Sequence, residues 1–297
     1  MPIVQIRYVL TPNENKILIE KLEEIGRENI HKEFRETLLE GLTPEALSNK
    51  EFLVRYLLLA AVLDQQAESA SARRTVREIY SRYGIKFFLN PEEYFSQIHK
   101  VVETALETYK PKVRVVRMKK VGITFLRIGG YMVSVLNLST RYGSLLNYYK
   151  RFNNPRELLE KGILGETMLK GLLYEKASRL YVGWITHPDL EVKIYGGDLK
   201  RSEIPMVING HVAKVMARAG LLSLVSVENT QNMIIEAEKE RLRIEEQVKN
   251  NKPQGDFFLI DYGAFYIGVN YCHEEQPECD KCPINSICRK NIEIRAY

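Results

Sequence analysis

The four cysteines of this chain all lie between Cys272 and Cys288, spaced C-x6-C-x2-C-x5-C. No cysteine elsewhere can pair with them, so disulfides do not staple distant parts of the fold. Four thiolates on one short loop suit an all-cysteine zinc site or a [4Fe–4S] cluster. Thiolate softness fits both, so the ligand type leaves the choice open. The rest of the core has to form without covalent help. A chain of 297 residues is long enough to do so. With 45% hydrophobic and 27% charged residues it is neither a disordered tail, a collagen-like fibre nor a disulfide miniprotein.

The longest uncharged apolar run, Tyr56 to Leu63, is too short to span a bilayer. The opening MPIVQIRYVL lacks the basic-then-apolar layout of a signal peptide. The expectation is a soluble, cytoplasmic protein with no membrane partner. Lys and Arg number 43 against 38 Asp and Glu, a net charge of +5 that permits a polyanionic partner without demanding one. Positive charge is concentrated at Lys110, Lys112, Arg114, Arg117, Lys119 and Lys120, with no acid between them. Such a run can track a phosphate backbone, or form a solvated face. Tyr131, Tyr142, Tyr148 and Tyr149 follow it, suited either to stacking on unpaired bases or to a core.

Helical periodicity dominates. Ile17, Leu18, Leu22, Ile25 and Ile30 recur at helical spacing. Thr43-Pro44-Glu45 reads as an N-cap followed by proline in the first turn, and Asn154-Pro155-Arg156 starts a further helix. Phe52 to Leu63 is a strongly apolar helix that continues or restarts through Arg82. Gly129-Gly130 is expected to break the β-branched stretch Val113 to Leu138. Further helices are predicted over Gly171–Trp184, Asn209–Leu222 with Asn209 as N-cap, Gln231–Asn250 and Phe257–Tyr271. The fold class is mostly α.

The cysteine spacing resembles the iron–sulfur loop of the endonuclease III-like branch of the helix-hairpin-helix DNA glycosylase superfamily. Leu259-Ile260-Asp261-Tyr262-Gly263 looks like the family helix that enters this loop, and Pro283 is compatible with it. Phe52 to Arg74 resembles an early barrel helix ending in a glutamine-bearing turn. The resemblance implies that Gln65 or Gln66 probes the gap left by an everted nucleotide. Leu172 to Leu180 looks like a family helix bearing a lysine–alanine pair. Ile208-Asn209-Gly210-His211-Val212 resembles the family's Val-Asp-Thr-His-Val segment, with His211 and the later Arg218 kept. The implied layout is two helical lobes. Residues 1–50 and 205–297 would form a cluster domain. Residues 51–204 would form a six-helix-barrel-like domain with a basic insertion near 110–150.

Two departures bear on function. No Gly-x-Gly hairpin is found upstream of Asn209. Gly196-Gly197 is the only glycine pair in the interval and lies too close to Asn209 for a hairpin helix plus connection. The Schiff-base lysine of the bifunctional lyases is lost with it. The family's aspartate is also Asn209 here. A carboxylate stabilises the positive charge that builds on the sugar, and a neutral amide does so poorly. Asp198 and Glu203 are the candidate substitutes. Asn209-Gly210 is a deamidation-prone pair that would restore a carboxylate.

The resemblance implies a [4Fe–4S] cluster, with zinc as the alternative, on Cys272, Cys279, Cys282 and Cys288. It implies contact with nucleic acid, foremost lesion-bearing double-stranded DNA, through Gln65, Gln66, His211, Lys214, Lys112, Arg114 and Arg117. The activity it implies is base excision with Asn209, Asp198 and Glu203 at the sugar. The rival reading is a catalytically silent DNA- or RNA-binding module of the same fold.

Overall fold

A computed structural model describes residues 4–5, 9–111, 117–195, 203–222, 226–227, 230–251 and 255–291. The chain divides into two compact units, Met1–His31 with Lys200–Tyr297, and Lys32–Leu199. Both are helical. Among the described residues the only strand pairing is Val4–Gln5, antiparallel to Ser226–Val227. Helix α1 (Pro12–Glu33) passes into a wide turn over Phe34–Leu38, then α2 (Pro44–Ser48), capped by Thr43 as expected. The first division falls after His31, not at 50/51. The reason is that Phe34 and Leu38 are buried, and the Tyr56 hydroxyl donates to the Leu38 carbonyl at 2.9 Å.

The Lys32–Leu199 unit is built around α3 (Lys50–Asp64), in which every side chain from Phe52 to Leu63 is buried. A helix apolar on all sides has to be surrounded by others. Those that follow are α4 (Ser69–Leu89), α5 (Ile98–Thr108), α6 (Arg117–Tyr142) and α7 (Leu145–Tyr149). The one charge within the buried stretch Phe52–Leu63, Arg55, is satisfied. It pairs with Glu51 at 2.5 Å and donates to the Phe88 and Leu89 carbonyls and to Ser139 Oγ. Glu51 also accepts the Leu145 and Leu146 backbone N–H groups at 2.9 and 2.7 Å. This network ties the start of α3 to the ends of α4 and α6 and to α7.

Gly129-Gly130 does not break α6. A Cβ at either position would lie 3.4 Å from Ile98 Cδ1 or Leu172 Cδ1, an ordinary contact, so packing at these points does not itself require glycine. Buried Ile128, Tyr131, Met132, Val135 and Leu138 hold the helix across them. The segment Lys120–Tyr142 is long and apolar enough, by length and composition, to cross a bilayer. Here those buried side chains are part of the unit's core. The unit continues through α8 (Pro155–Glu157), a wide turn over Leu158–Leu164, and α9 (Glu175–Thr186). Gly171, in the connection before α9, has φ +81°, which favours glycine.

The other unit packs α1 with α10 (Gly210–Ala219), α11 (Thr230–Asn251) and α12 (Phe257–Asn270). Helices α1 and α12 meet backbone to backbone. A Cβ on Gly26 would fall 2.0 Å from the Leu259 carbonyl oxygen, and one on Gly263 only 1.9 Å from that of Leu22. Gly263→Ala is therefore expected to destabilise this unit by about 3 kcal/mol, the upper range for overpacking. Urea unfolding would show a lowered midpoint at unchanged slope. A change under about 0.5 kcal/mol, the range of an ordinary surface substitution, would mean the helices are not held at this separation.

Candidate metal centre and nucleic-acid interface

Helix α12 delivers the first cysteine. Its last residue is Asn270, and Cys272 N–H then donates back to the Ile267 carbonyl at 2.9 Å. A single turn over Cys279–Lys281 carries the second cysteine, and Cys282 N–H closes on the Cys279 carbonyl at 3.1 Å. Cys288 N–H donates to Ile284. All four thiols line one cavity of about 290 Å³, together with Val215, Ile267 and Ile284. Among the described residues no group of three or more His, Cys, Asp or Glu side chains is placed to hold a metal ion.

Arg218, at the end of α10, organises this loop. It is 5% exposed and donates to Cys272 Sγ at 3.2 Å and to the His273 and Glu274 carbonyls at 2.5 and 2.9 Å. The Lys290 N–H points at Cys288 Sγ, 3.4 Å away. Burial pushes the Cys288 thiol up to about 11 and raises that of Cys282. A bare thiolate is thus disfavoured in this cavity, and a cationic partner would be needed to offset the desolvation.

The same α10 begins at the candidate sugar site. Asn209 is its N-cap, as the sequence predicts, and Oδ1 accepts the His211 and Val212 N–H groups at 2.9 and 3.0 Å. The approach to it is fixed from below. Buried Asp261 accepts the Val207 N–H at 2.7 Å, and Glu245 accepts that of Met206 at 3.3 Å. Gly268 of α12 lets α10 come close, since a Cβ there would lie 2.7 Å from His211 Cβ. The His211 ring stands edge-on to Phe265, with Nδ1 3.1 Å from the Gly268 carbonyl. Glu203 is partly exposed in the turn that leads into this segment. Asp198, Lys112 and Arg114 lie outside the described residues, as does the side chain of Arg117.

Two expected contact residues are corrected. Lys214 is 5% exposed, and its ammonium donates to the Gly268 carbonyl at 3.3 Å, with burial lowering its pKa. It faces protein, not phosphate. Gln65 is also inside. Its Nε2 donates to the Leu172 carbonyl at 2.8 Å and its Oε1 accepts the Tyr174 N–H at 2.7 Å. It thereby braces the connection before α9. Gln66 is exposed and has φ +51°, unusual for a residue with a side chain. The four tyrosines also separate: Tyr131, Tyr148 and Tyr149 are buried, while Tyr142 is partly exposed.

No family model and no curated protein matches the chain. Solved structures do. A trapped endonuclease III–DNA covalent intermediate matches with a TM-score of 0.53 at 14% identity, over 95% of this chain and 98% of that one. A non-covalent endonuclease III–DNA complex matches with the same score, identity and share of this chain, and 97% of its own. The fold is the helical fold of endonuclease III. A thermostable thymine-DNA glycosylase has it too, with a TM-score of 0.51 at 11% identity over 94% of this chain and 97% of that one. The likeness is one of fold and does not select a branch.

The two glutamines should behave oppositely. Gln65→Ala leaves the Leu172 carbonyl and Tyr174 N–H without their partner, a loss of about 2–3 kcal/mol in denaturant unfolding. Gln66→Ala should change stability by less than about 0.5 kcal/mol. Equal effects would contradict this division of labour.

Proposed function

We propose that this chain is an iron–sulfur protein that binds lesion-bearing double-stranded DNA and excises a damaged or non-canonical base by hydrolysing its N-glycosidic bond. The observation that carries the reading is a fold match over 95% of the chain to a protein captured on DNA. Cys272, Cys279, Cys282 and Cys288 would hold a [4Fe–4S] cluster. The fit rests on four soft donors lining one cavity and on a buried guanidinium beside a thiol sulfur. The cluster's contribution is to order the loop; hydrolysis needs no electron transfer. Arg218 then links the cluster loop to α10, whose other end carries Asn209 and His211.

Excision breaks the bond from C1′ to the base nitrogen, joins water oxygen to C1′, and sends a proton to the departing base. Gln66, exposed on a tight turn, would fill the stack when the nucleotide is everted. His211 would meet phosphate, as would Lys112, Arg114 and Arg117 of the basic run. Asn209, with Glu203 or Asp198, would stand at the sugar. A Schiff-base step is disfavoured, so borohydride should trap no protein–DNA adduct. This reading places the protein in the cytoplasm.

The second reading is a silent DNA- or RNA-binding module. The observation favouring it is the engagement of the Asn209 side-chain oxygen in two cap hydrogen bonds. Asn209→Asp separates the two, because aspartate caps as well as asparagine and stability should hold. If the site excises, restoring a carboxylate should raise the single-turnover rate by about 10²-fold, the scale of a lost electrostatic contact. No excision by either form, across a panel of lesions, would establish the binding module. Asn209→Ala should cost about 1 kcal/mol through the lost cap alone.

Anaerobic purification should give a brown protein with about four irons and a broad band near ~400 nm. Stoichiometric zinc in a colourless protein would reject the cluster.

A further inference from the structure

We propose that Arg141, Tyr142 and Arg151 form a second phosphate-binding site that clamps the DNA backbone away from the glutamine turn. The inference extends the nucleic-acid-binding reading above. Both guanidinium carbons lie over one ring, Arg141 at 5.3 Å and Arg151 at 4.7 Å from the Tyr142 centroid. Both arginines are exposed, and no carboxylate forms an ion pair with either among the described residues. Exposed Lys150 adds a third positive charge. The Glu166 carboxylate, which reaches the neighbouring Tyr148, is engaged there: it accepts from the Tyr148 hydroxyl at 3.1 Å and from the Met168 N–H at 3.0 Å. Two like charges gathered at one ring repel, and a bound anion relieves that repulsion. Guanidinium offers paired donors that match phosphate oxygens.

The platform is rigid. Tyr142 stacks on buried Tyr148, with centroids 4.8 Å apart at 32°. Gly143 ends α6 at φ +81°, and Ser144 caps α7 by accepting the Asn147 N–H at 3.0 Å. Glu51 then fixes α7 to the start of α3. The glutamine turn lies at the other end of α3. Arg127 marks that end on α6, since it reaches the Leu63 carbonyl at 3.4 Å. Fourteen helical residues from Arg127 to Arg141 span about 21 Å, or roughly 6 base pairs of duplex. The two sites thus suit one backbone contacted at two places, not a single phosphate.

The test is binding to an undamaged 30-base-pair duplex between 50 and 200 mM salt, for wild type and R141A/R151A. Losing two phosphate contacts should lower the slope of log affinity against log salt by about 1.8, a loss of up to about 60-fold at 0.1 M. R141K/R151K should keep the slope. An unchanged slope in R141A/R151A, with wild type binding DNA, overturns the clamp and leaves the proposed function standing. Wild type failing to bind any duplex overturns both. Pyrophosphate bound by wild type and not by the variant, with DNA binding unaltered, would assign the site to a free phosphate ligand and overturn the DNA assignment. If the double variant melts early, R141A and R151A singly should each lower the slope by about 0.9.

Discussion

The crossing of α12 with its neighbours sets the geometry of the Met1–His31 and Lys200–Tyr297 unit. Gly26 and Gly263 let α1 and α12 touch at the backbone, and Gly268 lets α10 come close as well. Close-packed interiors transmit small displacements, so a methyl group at any of these points would move the helices that carry the site. From α12 also comes the Asp261 carboxylate that fixes Val207 two residues before the Asn209 cap, and from its end comes Cys272. One helix thus sets both the entry to α10 and the start of the cysteine loop.

Between those two places runs α10 itself. Its ten residues span about 15 Å from the Asn209 cap to Arg218. Arg218 holds the loop by a thiol sulfur and two carbonyls, and the Arg218 carbonyl accepts the Asn291 N–H at 3.1 Å. Loss of order in the cysteine loop would therefore reach the Asn209 end through a single rigid element. That linkage lets the order of the cysteine loop position residues the loop does not touch.

In the Lys32–Leu199 unit a buried charge network does comparable work. Arg55 and Glu51 satisfy one another and five further polar groups, which makes burial tolerable and fixes how four helices end against each other. At the opposite end of α3, Gln65 uses its amide to join two turns. Gln66 is left to project. Adjacent identical residues acquire different work because the left-handed backbone at Gln66 turns one side chain out while its neighbour stays in.

Local chemistry made much of this legible in the sequence. Helix caps at Thr43 and Asn209 follow from short-range hydrogen bonding, and the apolar run of α3 follows from the need to bury it. The clustering of four thiols on one loop is likewise a matter of spacing. Three features were not legible, because each depends on a partner distant in sequence. Gly129-Gly130 reads as a break, yet long-range packing carries α6 through it. Lys214 reads as a surface base, yet α12 covers it. Gln65 reads as a residue that faces DNA, yet its amide braces the connection before α9, more than a hundred residues later. The helical class, the caps and the clustering of the cysteines are set within a few residues, so residue order alone carries them. Which polar side chains hold the fold and which stay exposed depends on packing between segments far apart in the chain, and so emerges only when the helices are assembled.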